Sequence, residues 1–265
     1  MKKVYLILFC LITESCQDAY FSRISKNDIG KEKPKEGEWL YEHHENGQTF
    51  REFQRSKHII PDSNKNTIIL QPIGTFTKSQ LNLINLTNEY LHYFFQLTIK
   101  TEATFNDSAI PQHSKRIGSA NNEQLFAPYI LDSILRNRYK NCLLVMAITE
   151  KDLYHKKDWN YVFGLASLQN RVGVTSLYRF ETNVKSDSNK LELLRLIKTS
   201  SHEIGHMFGI HHCTYAACVM NASNSLEELD KTTVRLCSQC QRKIYSSINY
   251  DSEKRLKELI LNVYP

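Results

Sequence analysis

The segment from His202 to Cys213, HEIGHMFGIHHC, constrains this chain more than any other. On a helix, His202 and His206 lie one turn apart on the same face. With Leu193 set at zero and about 100° per residue, Ile197, Ile204 and Phe208 fall at roughly 40, 20 and 60°, whereas His202 and His206 fall at roughly 180 and 220°. Such a helix buries one face and presents both imidazoles on the other. Gly209 stands where the helix has to end, because glycine takes positive φ there without steric penalty. The turn lets His212 approach the same point from outside the helix, which gives three nitrogen donors and leaves a fourth position open, the pattern of a metal site that does chemistry. His211 is one residue off and is the alternative third donor. For His202 and His206 taken alone, two surface histidines on an amphipathic helix is the competing reading.

Four of the seven cysteines follow within 28 residues: Cys213, Cys218, Cys237 and Cys240. Cys213-x4-Cys218 and Cys237-x2-Cys240 have the spacing of two thiolate pairs closing on one tetrahedral zinc. Two disulfides are the alternative, favoured if the chain reaches an oxidising compartment. A four-sulfur site would leave no position for water, so its role is structural. Cys142, inside the apolar run CLLVMAIT, reads as a small buried hydrophobe.

Upstream, TIILQPIG (67–74) is short, β-branched and closed by Pro and Gly, and predicts a strand. Leu83, Leu86, Tyr90 and Phe94 recur at helical spacing and predict a helix over 78–95. LTIKTEATF (97–105) predicts another strand, then a polar loop to about 122 and a helix over 123–139. CLLVMAIT (142–149) has the continuous apolar character of a central strand. YVFGLASL and VGVTSLYRF, on either side of Gln169-Asn170-Arg171, predict a hairpin. A third helix begins near Ser188 or Asn189 and runs into the histidine motif. After residue 213 no strand is expected, only helices over 238–248 and 251–262. The expected architecture is α+β: one mixed sheet with helices, then a small, mainly helical C-terminal part.

At 265 residues, with 41% hydrophobic and 23% charged residues, the chain is long enough for a substantial core. A net charge of +6 with no basic stripe interleaved with aromatics argues against a nucleic-acid partner. The N-terminus has two lysines and then nine apolar residues from Val4 to Ile12, too few to span a bilayer. It reads as a secretory signal over 1–16, ending at Ser15-Cys16, where a bacterial lipoprotein leader is cut and the new terminal cysteine acylated. Glu14 departs from that pattern, and a buried N-terminal strand is the alternative. Residues 17–36 are expected as a polar tether. Residues 37–265 are expected as one folded domain, with a larger part to about 212 and a smaller one from about 213. Export as a membrane-anchored lipoprotein or periplasmic protein is the expected location, with the cytoplasm as the alternative. Any membrane contact is through Cys16, and a monomer is expected.

The histidine run fits H-E-x-x-H-x-x-G-x-x-H, the metzincin form of the motif. Met220, in CVMNAS, stands where metzincins carry a methionine in a tight turn, with Asn221 as a turn residue. HEIGHMFGIHHCTYAACVMNASNSLEELD followed by LCSQC resembles the archaemetzincin family continuously from His202 to Cys240, and DLYHKKDWNYVFGLASLQNRVGVTSLYRF (152–180) is similar to that family's sheet-edge region. IILQPIG and the segment GEWL to GQTF resemble its N-terminal part more weakly. The resemblance implies a metzincin-like catalytic domain with two zinc ions: a catalytic one on His202, His206 and His212, and a structural one on Cys213, Cys218, Cys237 and Cys240. It also implies Glu203 as the acid/base, Met220 as the turn methionine, and a zinc metallopeptidase. In that chemistry Glu203 activates a zinc-bound water against a peptide bond, with a peptide or protein as substrate. Amino-terminal trimming and internal cleavage both remain open. A peptide-binding scaffold with an inert site and a zinc hydrolase of a non-protein amide are the other functional readings.

Overall fold

A computed structural model of the chain describes residues 18–181 and 188–262. The leader-like residues 1–16, with Cys10 and Cys16, lie outside them. In chain order the strands are β1 (Thr67–Ile73), β2 (Thr98–Thr101), β3 (Lys115–Ile117), β4 (Glu123–Phe126), β5 (Leu144–Thr149), β6 (Asp152–Tyr154), β7 (Gly164–Ser167) and β8 (Val172–Ser176). The main sheet has the order β2-β1-β5-β8-β7. β5 runs parallel to β1 on one side and to β8 on the other, and all six of its residues are buried, as its uninterrupted apolar run demands. Only the last strand, β7, is antiparallel to its neighbour, and it forms an edge.

The helices that bear on the site are, again in order, α1 (Phe50–Arg55), α2 (Lys78–Phe95), α3 (Ser188–Met207), α4 (Leu226–Lys231), α5 (Ser238–Ile248) and α6 (Ser252–Asn262). Capping boxes start two of them, Thr49 with Glu52 on α1 and Thr77 with Gln80 on α2. The two-residue period of β5 divides the core. Leu144, Met146 and Ile148 face α2 and α3, while Val145 and Ala147 face a helical stretch on the opposite side that contains Ile130, Leu131 and Leu135. α3 packs on α2 and across β5, β7 and β8, which carries its histidines to the edge of the sheet.

Several expectations are corrected. The sheet is not single: β3, β4 and β6 form a second, three-stranded sheet. The polar loop to 122 contains β3, and the helix expected over 123–139 begins as a strand, since β4 pairs antiparallel with β3 and parallel with β6. Pro128, at the start of the short helical turn Ala127–Tyr129, marks where helical geometry begins, and the turn continues as a π-helical stretch, Ile130–Leu135. The strand expected over 97–105 is shortened to β2, with Phe105 bridging Ile73. Residues 18–30, expected as part of a polar tether over 17–36, lie on the C-terminal subdomain. Phe21 is buried edge-on to Tyr245, Asp28 accepts from the backbone and hydroxyl of Ser238, and Gly30 bridges Ala216. Beyond residue 213 the described residues contain no strand, as expected, but α4 was not foreseen.

Candidate metal centre

α3 ends at Met207, and Gly209 turns the chain with φ +94°. A Cβ at Gly209 would stand 2.9 Å from the carbonyl oxygen of Lys57, so the reversal requires glycine in space as well as in φ. His212 returns to the helix, and the ligand atoms of His202, His206 and His212 lie within 4.8 Å of one another. His211 is exposed and outside the group; its backbone N–H donates to Gln48.

Each ring of the trio is tied off at Nδ1. His202 Nδ1 bonds the carbonyl of Val219 at 2.9 Å, His206 Nδ1 that of Ile210 at 2.7 Å, and His212 Nδ1 both oxygens of Glu45 at 2.9 Å. These partners only accept, so every Nδ1 carries the hydrogen and every neutral Nε2 is a lone pair. The Nε2 atoms of His202 and His206 stand 2.9 Å apart. Two lone pairs cannot hydrogen-bond to each other, whereas a shared cation reconciles them, so the trio fits a zinc ion. Burial and the neighbouring imidazoles hold His202 well below the ordinary histidine range and His206 down to about 3, which keeps both in the ligating form.

Glu203 is 6% exposed and points to β7, where a Cβ on Gly164 would come within 2.6 Å of its carboxylate. Burial pushes it up to about 8. Beneath the helix, Met220 packs on Gly205, the residue before His206, and any side chain there would collide with its sulfur. A cleft of about 540 Å³ opens beside the trio, lined among others by Trp39, Trp159, Tyr161, Leu165, Lys198 and Ser223. A second, smaller hollow is lined by Glu45, Asn46, Gly47 and the histidines at 206, 211 and 212.

The sulfurs of Cys213, Cys218, Cys237 and Cys240 also lie within 4.8 Å of one another, all in buried residues. Cys213 and Cys237 are 3.6 Å apart, non-bonded, and the four thiols are free. Tetrahedral zinc–sulfur bonds of about 2.3 Å place sulfurs about 3.8 Å apart, close to what is found. The backbone N–H groups of Cys237 and Met220 donate to Cys218 Sγ at 3.3 and 3.5 Å, contacts that favour a thiolate. The thiols of Cys218, Cys237 and Cys240 hold Cys213 far below the usual thiol range, while burial pushes Cys218 up and its sulfur neighbours push Cys240 up. A divalent cation among the four crowded sulfurs would offset the repulsion between their thiolates.

One loop serves both clusters. Cys213 N–H donates to the carbonyl of Met220, and Asn221 accepts from the Cys218 N–H while donating to the carbonyls of Cys213 and Ala216. Val219, within the same loop, supplies the carbonyl that orients His202. Glu45, Trp39 and Lys198 are site residues that motif spacing does not reveal. Trp39 Nε1 donates to Glu45 at 2.8 Å, which in turn holds His212. The only hint in sequence is Trp39 and Leu40 standing in an otherwise polar segment.

Comparison with known proteins rests on several relatives. Residues 129–246 match the sequence model of Peptidase family M54. Archaemetzincin-2 of Rattus norvegicus is 30% identical over 261 residues, covering 85% of this chain and 72% of the relative. The chain belongs to the archaemetzincin family. Among its archaeal members, the archaemetzincin of Pyrococcus furiosus is 31% identical over 68% of this chain and 93% of its own. The solved archaemetzincin of Methanopyrus kandleri matches with a TM-score of 0.58 at 25% identity, over 75% of this chain and 99% of that one. That of Archaeoglobus fulgidus, complexed with malonate, matches with a TM-score of 0.55 at 26% identity, over 67% and 99%. Archaemetzincins of family M54 are zinc metallopeptidases, and that class is this chain's.

Proposed function

We propose that the chain hydrolyses peptide bonds with a catalytic zinc on His202, His206 and His212 and with Glu203 as the proton carrier, while the four cysteines hold a second, structural zinc. A zinc ion held by three neutral imidazoles keeps its double charge and supplies Lewis acidity towards water and a substrate carbonyl. The protein's own residues do the rest. Glu203, buried beside the trio, takes a proton from the attacking water and delivers it to the leaving amine. β7 is an edge strand whose Gly164, Leu165 and Ala166 line the cleft, so an extended peptide can pair along it and bring a carbonyl to the histidines. Substrate thereby enters by backbone pairing, with side chains directed alternately into the cleft and away from it.

The observation that carries this reading is the convergence of three Nε2 lone pairs, each fixed through Nδ1, beside one buried carboxylate in an open cleft. Metal analysis and peptide-library cleavage on protein lacking residues 1–16, using peptides with free and blocked amino termini, test it. Two zinc ions per chain and chelator-sensitive cleavage are expected; one zinc ion, or cleavage indifferent to chelator, overturns it. From the leader-like pattern of 1–16 we also propose export with acylation at Cys16. Membrane fractionation of the full chain against Cys16→Ser tests that; equal soluble fractions would refute it.

A further inference from the structure

The cleft has a floor that peptide-bond chemistry does not use. Lys198 precedes His202 by four residues and Thr199 precedes Glu203 by four, so both side chains stand one helical turn before the reacting groups, on the faces those groups occupy. Both residues line the cleft, as does Ser223 from the chain after Met220.

Lys198 is only 7% exposed. Its Nζ donates to the carbonyls of Leu229 and Asp230, each at 3.0 Å, which uses two of its three hydrogens and gives it only neutral acceptors. Asp230 is the acid that acts on it, but both Asp230 oxygens are engaged by Arg195 at 2.9 and 2.6 Å. Glu228, on the same helix as Asp230, accepts from the backbone N–H groups of Trp39 and Asn224. Burial lowers the pKa of Lys198, the direction expected of an ammonium short of counter-charge. The hydroxyls of Thr199 and Ser223 are buried and have no hydrogen-bond partner. Ser200 and Ser201 share that condition but do not line the cleft. A buried cation served by carbonyls alone, with two unpartnered hydroxyls in residues that line the same hollow, is costly until an acceptor arrives.

We propose that Lys198, Thr199 and Ser223 form the subsite for a substrate carboxylate next to the scissile bond, borne either by an Asp or Glu side chain or by the peptide's own C-terminus. A carboxylate brings the acceptor positions that one ammonium hydrogen and two hydroxyls can fill. The substrate class becomes an acidic peptide rather than an apolar one. This inference rests on the peptidase reading for the position of the scissile bond, and the test separates the two.

Trp39 and Trp159 are the chain's 2 tryptophans and both line the cleft, so their fluorescence reports binding without turnover. Zinc-loaded Glu203→Gln is titrated with peptide pairs differing only as Glu against Gln, and with pairs ending in a free carboxylate against an amide. Tighter binding by about tenfold is expected for the carboxylate member, the size of one charge-assisted hydrogen bond. Whichever pair shows it identifies the source of the carboxylate. Adding Lys198→Met should erase the difference and leave the Gln peptide unchanged. Because Lys198 also joins α3 to α4, that variant is backed by Thr199→Val and Ser223→Ala, whose hydroxyls have no bond within the fold to lose. Each should narrow the ratio about threefold. Equal binding within both pairs, or a ratio unmoved by all three substitutions, overturns the subsite. Cleavage without charge preference leaves the peptidase standing and removes the subsite; charge-selective binding by a chain that cleaves nothing does the reverse.

Discussion

The histidine cluster and the cysteine cluster both gather their donor atoms within 4.8 Å, yet they differ in everything around those atoms. The histidines are partly buried, three in number and flanked by two hollows. The cysteines are four, buried, and enclosed by α5 and the loop from Cys213 to Asn221. One arrangement leaves a ligand position for a reactant, and the other fills every position with the protein's own sulfur. With zinc in both clusters, as proposed, ligand count alone would separate a reactive site from a rigid one.

The sharpest way to break this contrast is Glu203→Gln. It should lower kcat by about 10²- to 10⁴-fold, the range for loss of a general acid-base, while metal analysis still finds two zinc ions. Near-normal turnover would place the proton chemistry elsewhere. The same substitution has an opposite effect on stability when metal is stripped. Glu203 is ordinarily near 4.5 and is raised to about 8 in the fold, so between those values the folded state holds a proton that the unfolded state has released. Stability is then lost as pH rises through that window. Metal-free Glu203→Gln should melt higher than the parent at pH 8 and nearly level with it at pH 4; a constant offset at both values would contradict the burial argument.

Cys237→Ser attacks the closed side. It should lower the melting temperature and also weaken zinc binding at the histidines, because Cys213 and Val219 belong to one loop. A variant that keeps two zinc ions and full activity would show the sites to be independent. Glu45→Gln acts on the open side alone. It keeps the size of the side chain but loses the carboxylate at His212 Nδ1, and zinc affinity measured in metal buffers should fall about 10- to 100-fold with unchanged thermal stability of the metal-free chain. Smallest of all, Met220→Leu preserves packing against Gly205 approximately and should cost less than about 1.5 kcal/mol in denaturant unfolding.

The open site was legible because it is local. His202, His206, Gly209 and His212 lie within one helix end and one turn, where spacing fixes direction. The cysteines were legible by the same logic, in two short pairs. β5 declared itself by an apolar run long enough to be buried on both faces. The second sheet did not, since β3, β4 and β6 are three or four residues long and their pairing is a tertiary event that no window records. Arg116 of β3 and Gln124 of β4 illustrate this: they hold one another and the carbonyl of Asn160, more than thirty residues away in sequence. Glu45 and Lys198 escaped for a related reason. A lone glutamate in a polar segment and a lysine on a helix look like solvated charges until the fold brings His212 and α4 against them.

The shared loop from Cys213 to Asn221 has a consequence for how the molecule fills. With zinc in both clusters, as proposed, the ion that arrives first would hold a segment that the other also needs, and the second would bind more tightly, by the same factor in either order. Loading should follow a curve steeper than two independent equilibria. Under scarce metal a population of such chains would divide into doubly occupied and empty molecules, with few in between, and the inert ion would set the metal concentration at which the working one is retained.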